Sequence, residues 1–446
     1  MTGKTTGSKT DEMMDLMTDE RRRDALRIGL LGFGTVGSAF AEVLAAGGGE
    51  DVRITHVFNR GVERKRVQAR AKFVADGAVW TERVEDVIGA ADVDVVVELM
   101  GGLDPAEGWL RAALSAGKHV VTANKQLIAY RGAELFALAA SKGVQLLYGA
   151  AVAGGVPVIP GIAQGLSGDQ ITRISGIVNG TCNFILSSME GGADYGEVLK
   201  KAQAAGYAEA DPSADVDGFD ARAKLCVLAR LALHAEIDPE RVPAQTISQV
   251  SAVDFAYAKE LGCTVRQVSR AEIVDGVVSA SVGPMLVPKS SPIAWSHGTQ
   301  NMVVTSGRFG GDVVFSGHGA GGYPTAVAVM SDVRAIAEKS VQVRLPAKKM
   351  KVVGDVIAPF YLRFVVGDKP GIVAAIASEL AKVGANIDSI LQHRGFGTER
   401  LPFVVTTEPC LSSKLKEAIA EMAKFDFMLE PPLCLQILVV DDRDTD

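Results

Sequence analysis

The chain has 446 residues, 48% of them apolar, and a formal net charge of −7. That length suits two or three domains, and the apolar content can build their cores. An acidic balance argues against nucleic acid or an anionic membrane as partner, because both reward a basic surface, and leaves a small molecule as the expected ligand.

Residues 1–25 are polar and mixed in charge, so a tail rather than a secretory signal is expected there. From Leu26 the chain alternates short apolar strands (RIGLLG, VRITHVF, DVVVEL, HVVTA, QLLYG) with helical segments. This order predicts a parallel sheet covered on both faces, a Rossmann-type α/β domain over residues 26–150. The uncharged run from Val144, VQLLYGAAVAGGVPVIPGIAQGLSG, is long enough to span a bilayer. Its glycines and prolines would leave backbone groups unpaired in lipid, so a buried strand, a turn and a helix start near Pro157 are expected instead. Residues 151–319, with strands such as ITRISGIV and VSASVGPMLV, read as an α+β domain, and a helix at about 320–342 is expected to return to the first domain. A linker over 343–356 then leads to residues 357–446, whose order of strand, helix, strand, strand, helix, strand predicts a ferredoxin-like module. The five cysteines lie apart with no CxxC pair, the pattern of reduced thiols in a cytoplasmic protein.

The stretch GLLGFGTVGSAF sets Gly32, Gly34 and Gly37 in GxGxxG spacing between a strand and a helix. Such a turn lets the backbone of Gly32, Phe33, Gly34, Thr35, Val36 and Gly37 approach a pyrophosphate at a helix N-terminus, so a dinucleotide is expected. An NAD enzyme usually carries an acid at the end of the second strand. Here that strand ends in Asn59 and Arg60, which favours NADP with NAD as the second choice. Arg64, Lys65 and Arg66, just behind, read as a solvated helix face.

Lys125, in HVVTANKQ, follows a strand and so falls near the carboxyl ends of the sheet, where ligands of such folds bind. Glu209, Asp211, Asp215, Asp217 and Asp220 crowd the segment before Lys224. They could form a metal loop, a solvated turn or a pocket for a charged small molecule. An EF-hand is rejected, because setting Gly218 at loop position six puts Lys224 where the bidentate acid belongs. Asp220 and Lys224 are four apart on one helix face, and spacing alone favours an exposed ion pair. The six histidines show no zinc-ligand spacing.

Together GFGTVG, VVELMGG, TANK, GIVNGTCNFIL, YAEADPSADVDGFDARAKL and GHGAGGYPTA resemble the bacterial homoserine dehydrogenase family with a C-terminal ACT domain, from about Leu26 to the end. The resemblance implies reduction of L-aspartate 4-semialdehyde to L-homoserine by NAD(P)H, on the route to threonine and methionine. It makes Lys224 the proton donor and Lys125 a second active-site lysine beside the nicotinamide. It places Met100, Gly101 and Gly319 at the cofactor, and Glu209, Asp220, Gly180 and Thr181 at the substrate. A lysine titrating at about 10.4 serves as acid, and serves as base in the reverse direction only once burial or a neighbouring cation perturbs it. The family's sodium ion sits near a glutamate where this chain has Gly149. Only backbone carbonyls such as those of Val152, Gly154 and Val156 remain, and weak or absent sodium binding is expected.

The final segment, LRFVVGDKPGIVAAIASELAKVGANIDSI, is similar to an ACT module, which implies an amino-acid effector near Asp368, Gly371 and Asn386, threonine first among the candidates. A homodimer or homotetramer is expected. Two alternatives stay open at this point: a non-catalytic sensor of dinucleotide and amino acid, which would have no need of both lysines, and a reductase of another amino-acid semialdehyde.

Overall fold

The apolar run Leu26–Leu31 forms a strand at the middle of a six-stranded parallel sheet in a computed structural model that describes residues 25–47, 51–340 and 346–439. The expected tail, apart from Ala25, and residues 343–345 of the expected linker lie outside the described residues. Strand order across this sheet is Val79–Thr81, Val52–Phe58, Leu26–Leu31, Val95–Glu98, His119–Thr122 and Leu146–Leu147. The order reverses beside the first strand, and such a switch point leaves a crevice at the strands' carboxyl ends. The helix Thr35–Ala46 covers one face. The later helix Gly322–Ala337 returns to it, burying Ala326, Val329, Met330 and Val333 against Ala39, Phe40 and Leu44.

The glycine-rich run after Leu147 breaks into turns, the short helix Val158–Pro160 and a wide turn over Gly161–Gly165. Among the described residues no helix is long and apolar enough to cross a membrane. The second unit is a mixed sheet in which Ile171–Ile177, Cys263–Val274, Val277–Pro288, Gln300–Gly307 and Gly311–His318 pair antiparallel. Its helices Gly180–Glu190 and Phe219–Ala232 belong to clusters rich in leucine and isoleucine.

The C-terminal module has the expected order: Phe360–Val366, Ile372–Lys382, Ile387–Leu391, Leu401–Thr407, Ser412–Met422 and Leu433–Ile437. It is not hung on a free tether. Val352 and Val353, inside the expected linker, pair with Val278 and Ser279, while Leu433–Ile437 pairs with the second unit through Met285↔Gln436 and Leu286↔Ile437. The two sheets therefore run on as one of ten strands. Leu433, Leu435, Tyr361 and Val404 share one apolar cluster with Cys182, Ile185 and Leu186 of the second unit.

A polar network is sealed into this seam. Asp254, whose side chain is 0% exposed, accepts hydrogen bonds from the Tyr361 hydroxyl at 2.7 Å, the Ser251 backbone N–H at 2.8 Å and the Arg363 guanidinium. Burial, the largest effect, raises the Asp254 carboxyl above its usual range, and the Arg363 charge opposes it. Breaking a buried pair on one side strands the other charge, which costs about 3–5 kcal/mol. Arg363→Met is therefore expected to lower the denaturant midpoint of the full chain. A midpoint within error of wild type would show that Asp254 needs no cationic partner.

Candidate active site

At the first strand's carboxyl end Gly32 adopts φ +104°, a left-handed conformation that suits glycine. A Cβ on Gly37 would stand 2.0 Å from the Gly32 carbonyl oxygen, so only glycine lets the helix start this close to the strand. The Phe33 side chain is buried against Trp80, leaving its backbone to face the turn, and its N–H donates to Asn59 Oδ1 at 3.0 Å. Gly34 has open space where a Cβ would be. Asn59 is thus spent inside the protein, and Arg60 beside it is exposed. The glycine turn fits a pyrophosphate, with the N-terminus of a twelve-residue helix behind it.

Next to this turn lies a cavity of about 280 Å³. It brings together Val36, Met100, Gly101, Lys125, Gly319 and Lys224 from stretches far apart in the chain. Glu98, fully buried at the end of its strand, fixes one wall by accepting from Met100 N–H at 2.7 Å, Gly101 N–H at 2.9 Å and the Thr122 hydroxyl at 2.6 Å. Asn124 caps the helix Lys125–Ser141 through Leu127 N–H and donates to the Gly102 carbonyl at 2.6 Å, so Lys125 enters the cavity from a pinned helix start.

Both lysines converge on one carboxylate. Lys125 Nζ lies 2.7 Å from Asp220 Oδ1, and Lys224 Nζ lies 2.7 Å from Asp220 Oδ2. Lys224 also donates to the Val178 carbonyl at 2.8 Å. Spacing alone favoured an exposed Asp220–Lys224 pair, but the side chains are only 11% and 14% exposed. The difference is tertiary: the helices Lys125–Ser141 and Phe219–Ala232 belong to one apolar cluster that holds Leu127, Ile128, Leu225 and Leu228. A cation at a helix N-terminus is disfavoured by the helix dipole, and Asp220 offsets that penalty for Lys125.

Asn179 completes the cluster. Its Oδ1 caps the helix Gly180–Glu190 by accepting from Cys182 N–H, and its Nδ2 donates to Asp215 Oδ1 at 2.7 Å and Asp220 Oδ2 at 3.0 Å. Burial alone would raise the Asp220 carboxyl, but Lys224 and then Lys125 overcome it and hold the group far below the usual carboxylate range. Asp215 goes the other way: burial, opposed by the Asn179 hydrogen bond and reinforced by the Asp220 charge, raises it. Asn179 escaped the sequence reading, disguised as an ordinary N-cap before Gly180. Asp215 stands among the crowded acids there, with a solvated turn and a pocket for a charged molecule as open readings.

The remaining expected residues are spread. Thr181 bonds the Tyr207 carbonyl at 2.6 Å, and Gly180 packs against Thr299. Glu209 is exposed on the same loop, where its backbone carbonyl, not its side chain, is bonded by Gln203. Asp368 and Gly371 lie beyond Val366, which pairs with Leu401, whereas Asn386 precedes Ile387, which pairs with Thr407. That separates them by about 20 Å at ~3.3 Å per strand residue, so one chain does not bring these three together. At the position of the family's glutamate, Gly149 N–H donates to Asp332 at 2.6 Å, and a Cβ there would meet that carboxylate at 2.8 Å, so Asp332 takes the space a side chain would need. Among the described residues no three His, Cys, Asp or Glu side chains are grouped to hold a metal.

Comparison with known proteins places these features in context. Family models described as "Homoserine dehydrogenase, NAD binding domain", "Homoserine dehydrogenase" and "ACT domain" match residues 32–149, 157–333 and 360–425. The chain is 38% identical over 434 residues to a homoserine dehydrogenase of Mycobacterium leprae, covering 92% of this chain and 96% of that one. It superposes on the crystal structure of a homoserine dehydrogenase from Thiobacillus denitrificans with a TM-score of 0.84 at 34% identity, covering 93% and 98% of the two chains. A hyperthermophilic archaeal homoserine dehydrogenase in complex with NADPH matches with a TM-score of 0.62 at 27% identity, over 72% of this chain and 100% of that one.

The raised Asp215 carboxyl has a measurable consequence. Its ionised form costs stability at neutral pH, and that cost fades as pH falls through the raised value. Asp215→Asn keeps an acceptor for Asn179 and removes the charge. The variant is expected to melt roughly 1–3 °C above wild type at neutral pH and to lose the advantage toward about pH 4. Thermal unfolding across pH checks it, and a variant less stable than wild type at neutral pH contradicts it.

Proposed function

The chain belongs to the homoserine dehydrogenase family, and we propose that it reduces L-aspartate 4-semialdehyde to L-homoserine with NADPH in preference to NADH. It is an NAD(P)-dependent oxidoreductase, and the observation that carries the reading is the convergence of Lys125 and Lys224 on buried Asp220 beside the dinucleotide turn. A sensor would need neither lysine held so.

When bound, the dinucleotide supplies the hydride that reduces the aldehyde carbon. Gly32, Gly34 and Gly37 would hold its pyrophosphate, Arg60 its 2′-phosphate, and Val36, Met100, Gly101 and Gly319 its remaining surface. Lys224 gives the proton. Its ammonium has three N–H donors, and the described contacts engage two, to Asp220 and Val178, leaving one for the developing alkoxide oxygen. Lys125 adds a second positive charge near that oxygen. Asp220, occupied by both lysines and by Asn179, acts as a positioning residue in this reading. The substrate ammonium is then met by Asp215 and Glu209, with Gly180 and Thr181 forming the pocket wall. Sodium has no assigned part. The C-terminal module carries feedback control, with threonine as the proposed effector. Because Asp368 and Gly371 lie apart from Asn386, an effector contacting all three requires a second copy of the chain.

A coupled absorbance assay of homoserine oxidation with NADP and then NAD tests the activity and its preference. Lys224→Ala is expected to lower turnover by about 10² to 10⁴ while NADPH still binds in a fluorescence titration. Retention of more than about a tenth of the rate would remove Lys224 as proton donor. Arg60→Ala is expected to raise KM for NADP about tenfold or more with little change for NAD. Equal effects on both would show that Arg60 does not read the 2′-phosphate.

A further inference from the structure

A second cavity, of about 680 Å³, lies in the seam between the second unit and the C-terminal module, away from both lysines. From the second unit it is lined by Asp194, Ser248 and Ser251, and from the module by Arg363, Arg400 and Glu430. Its size falls within the range of small-molecule sites. Two cations and two anions thus face one space.

Arg363 is 6% exposed and incompletely satisfied. Its Nη1 donates to Ser251 Oγ at 2.6 Å and to Asp254, and its Nη2 reaches the Gln249 carbonyl at 3.2 Å. Its Nε has no partner, and a buried donor without an acceptor is costly. Glu430 stands 4.0 Å from Arg363 Nη2, too far for a hydrogen bond, and it also pairs with Arg400. The carboxylate of Glu430 is therefore hydrogen-bonded to Arg400 and only approached by Arg363, one anion shared between two guanidinium groups.

We propose that this seam cavity binds a free α-amino acid, its carboxylate taken by Arg400 and the edge of Arg363, and its ammonium by Glu430 and Asp194. An isolated anion would meet two carboxylates there and an isolated cation two arginines, whereas a zwitterion satisfies both signs. Val250, Val365 and Leu433 supply apolar wall for a side chain. The proposal deepens the feedback reading and rests on it. It also needs one chain only.

The cavity is joined to the chemistry by a short run of bonds. Val250 N–H donates to the Ile247 carbonyl at 3.1 Å, and Ile247 N–H donates to the Val216 carbonyl at 3.0 Å. Val216 ends the short helix Ser213–Val216 that carries Asp215, which is held by Asn179. A ligand that orders residues 248–251 thus acts on the turn beside the two lysines, and it shifts turnover to the extent that it binds the two states unequally.

Calorimetric titration of the full chain with L-threonine, L-isoleucine, L-methionine and L-lysine, and with acetate as a non-zwitterionic control, tests this. At least one amino acid is expected to bind and inhibit, and its affinity to fall at least about tenfold in Arg400→Ala and in Glu430→Gln, with little change in Asp368→Ala. Using both variants guards against one that folds poorly. The proposal is overturned if no amino acid binds, if acetate binds as tightly, or if affinity is lost only in Asp368→Ala, which would assign the effector to the module's helix end. If threonine is silent while another amino acid binds through Arg400, the seam site stands and threonine alone falls.

Discussion

A carboxylate shut away from water must be met by charge or hydrogen bonds, and Asp220 is met by Lys125, Lys224 and Asn179 at once. These partners come from three places: a helix start after the fifth strand of the parallel sheet, the second turn of Asp220's own helix, and a helix cap after the first strand of the second sheet. Lys224 and Asn179 share the second unit with Asp220, but Lys125 reaches the carboxylate only when the two units close on each other. The closing is done by apolar packing between the lysine-bearing helices, so the chemistry of the site and the docking of the units depend on one cluster of leucines and isoleucines.

What could be read from the chain beforehand follows from how local each feature is. The glycine turn was legible because strand, turn and helix lie within a dozen residues and each glycine has a steric reason. The parallel sheet and the βαββαβ module were legible from pattern for the same reason, and the second unit only as α+β. The state of the Asp220–Lys224 pair was not, because i, i+4 spacing is the same whether a helix face is wet or covered, and the covering helix begins about a hundred residues earlier. Asn179 was hidden by doing two jobs, since capping explains its position fully and conceals the two bonds made by its amide nitrogen. Arg60 stood out because a cation replaced an acid at a defined strand end.

The join between the units was the least legible part. A basic, proline-containing segment reads as a tether, yet Val352 and Val353 are paired strand. β pairing of this kind is decided by which edge is nearby, and sequence pattern says little about edges. In consequence the catalytic body and the C-terminal module share backbone hydrogen bonds, an apolar cluster and the Asp254–Arg363–Tyr361 network. A change in the module's posture therefore reaches the second unit as strain in a common sheet.

The pairing of Met285 and Leu286 with Gln436 and Ile437 also bears on how the protein is made. On the ribosome the amino-terminal sheet can close once its six strands have emerged. The second unit cannot: Leu433 and Leu435 belong to the same core as Ile185 and Leu186, and they are translated long after them. Until then that core presents an open edge and uncovered leucines, the features that invite misassembly and chaperone capture. Loss of the strand Leu433–Ile437 would therefore injure the second unit as well as the module.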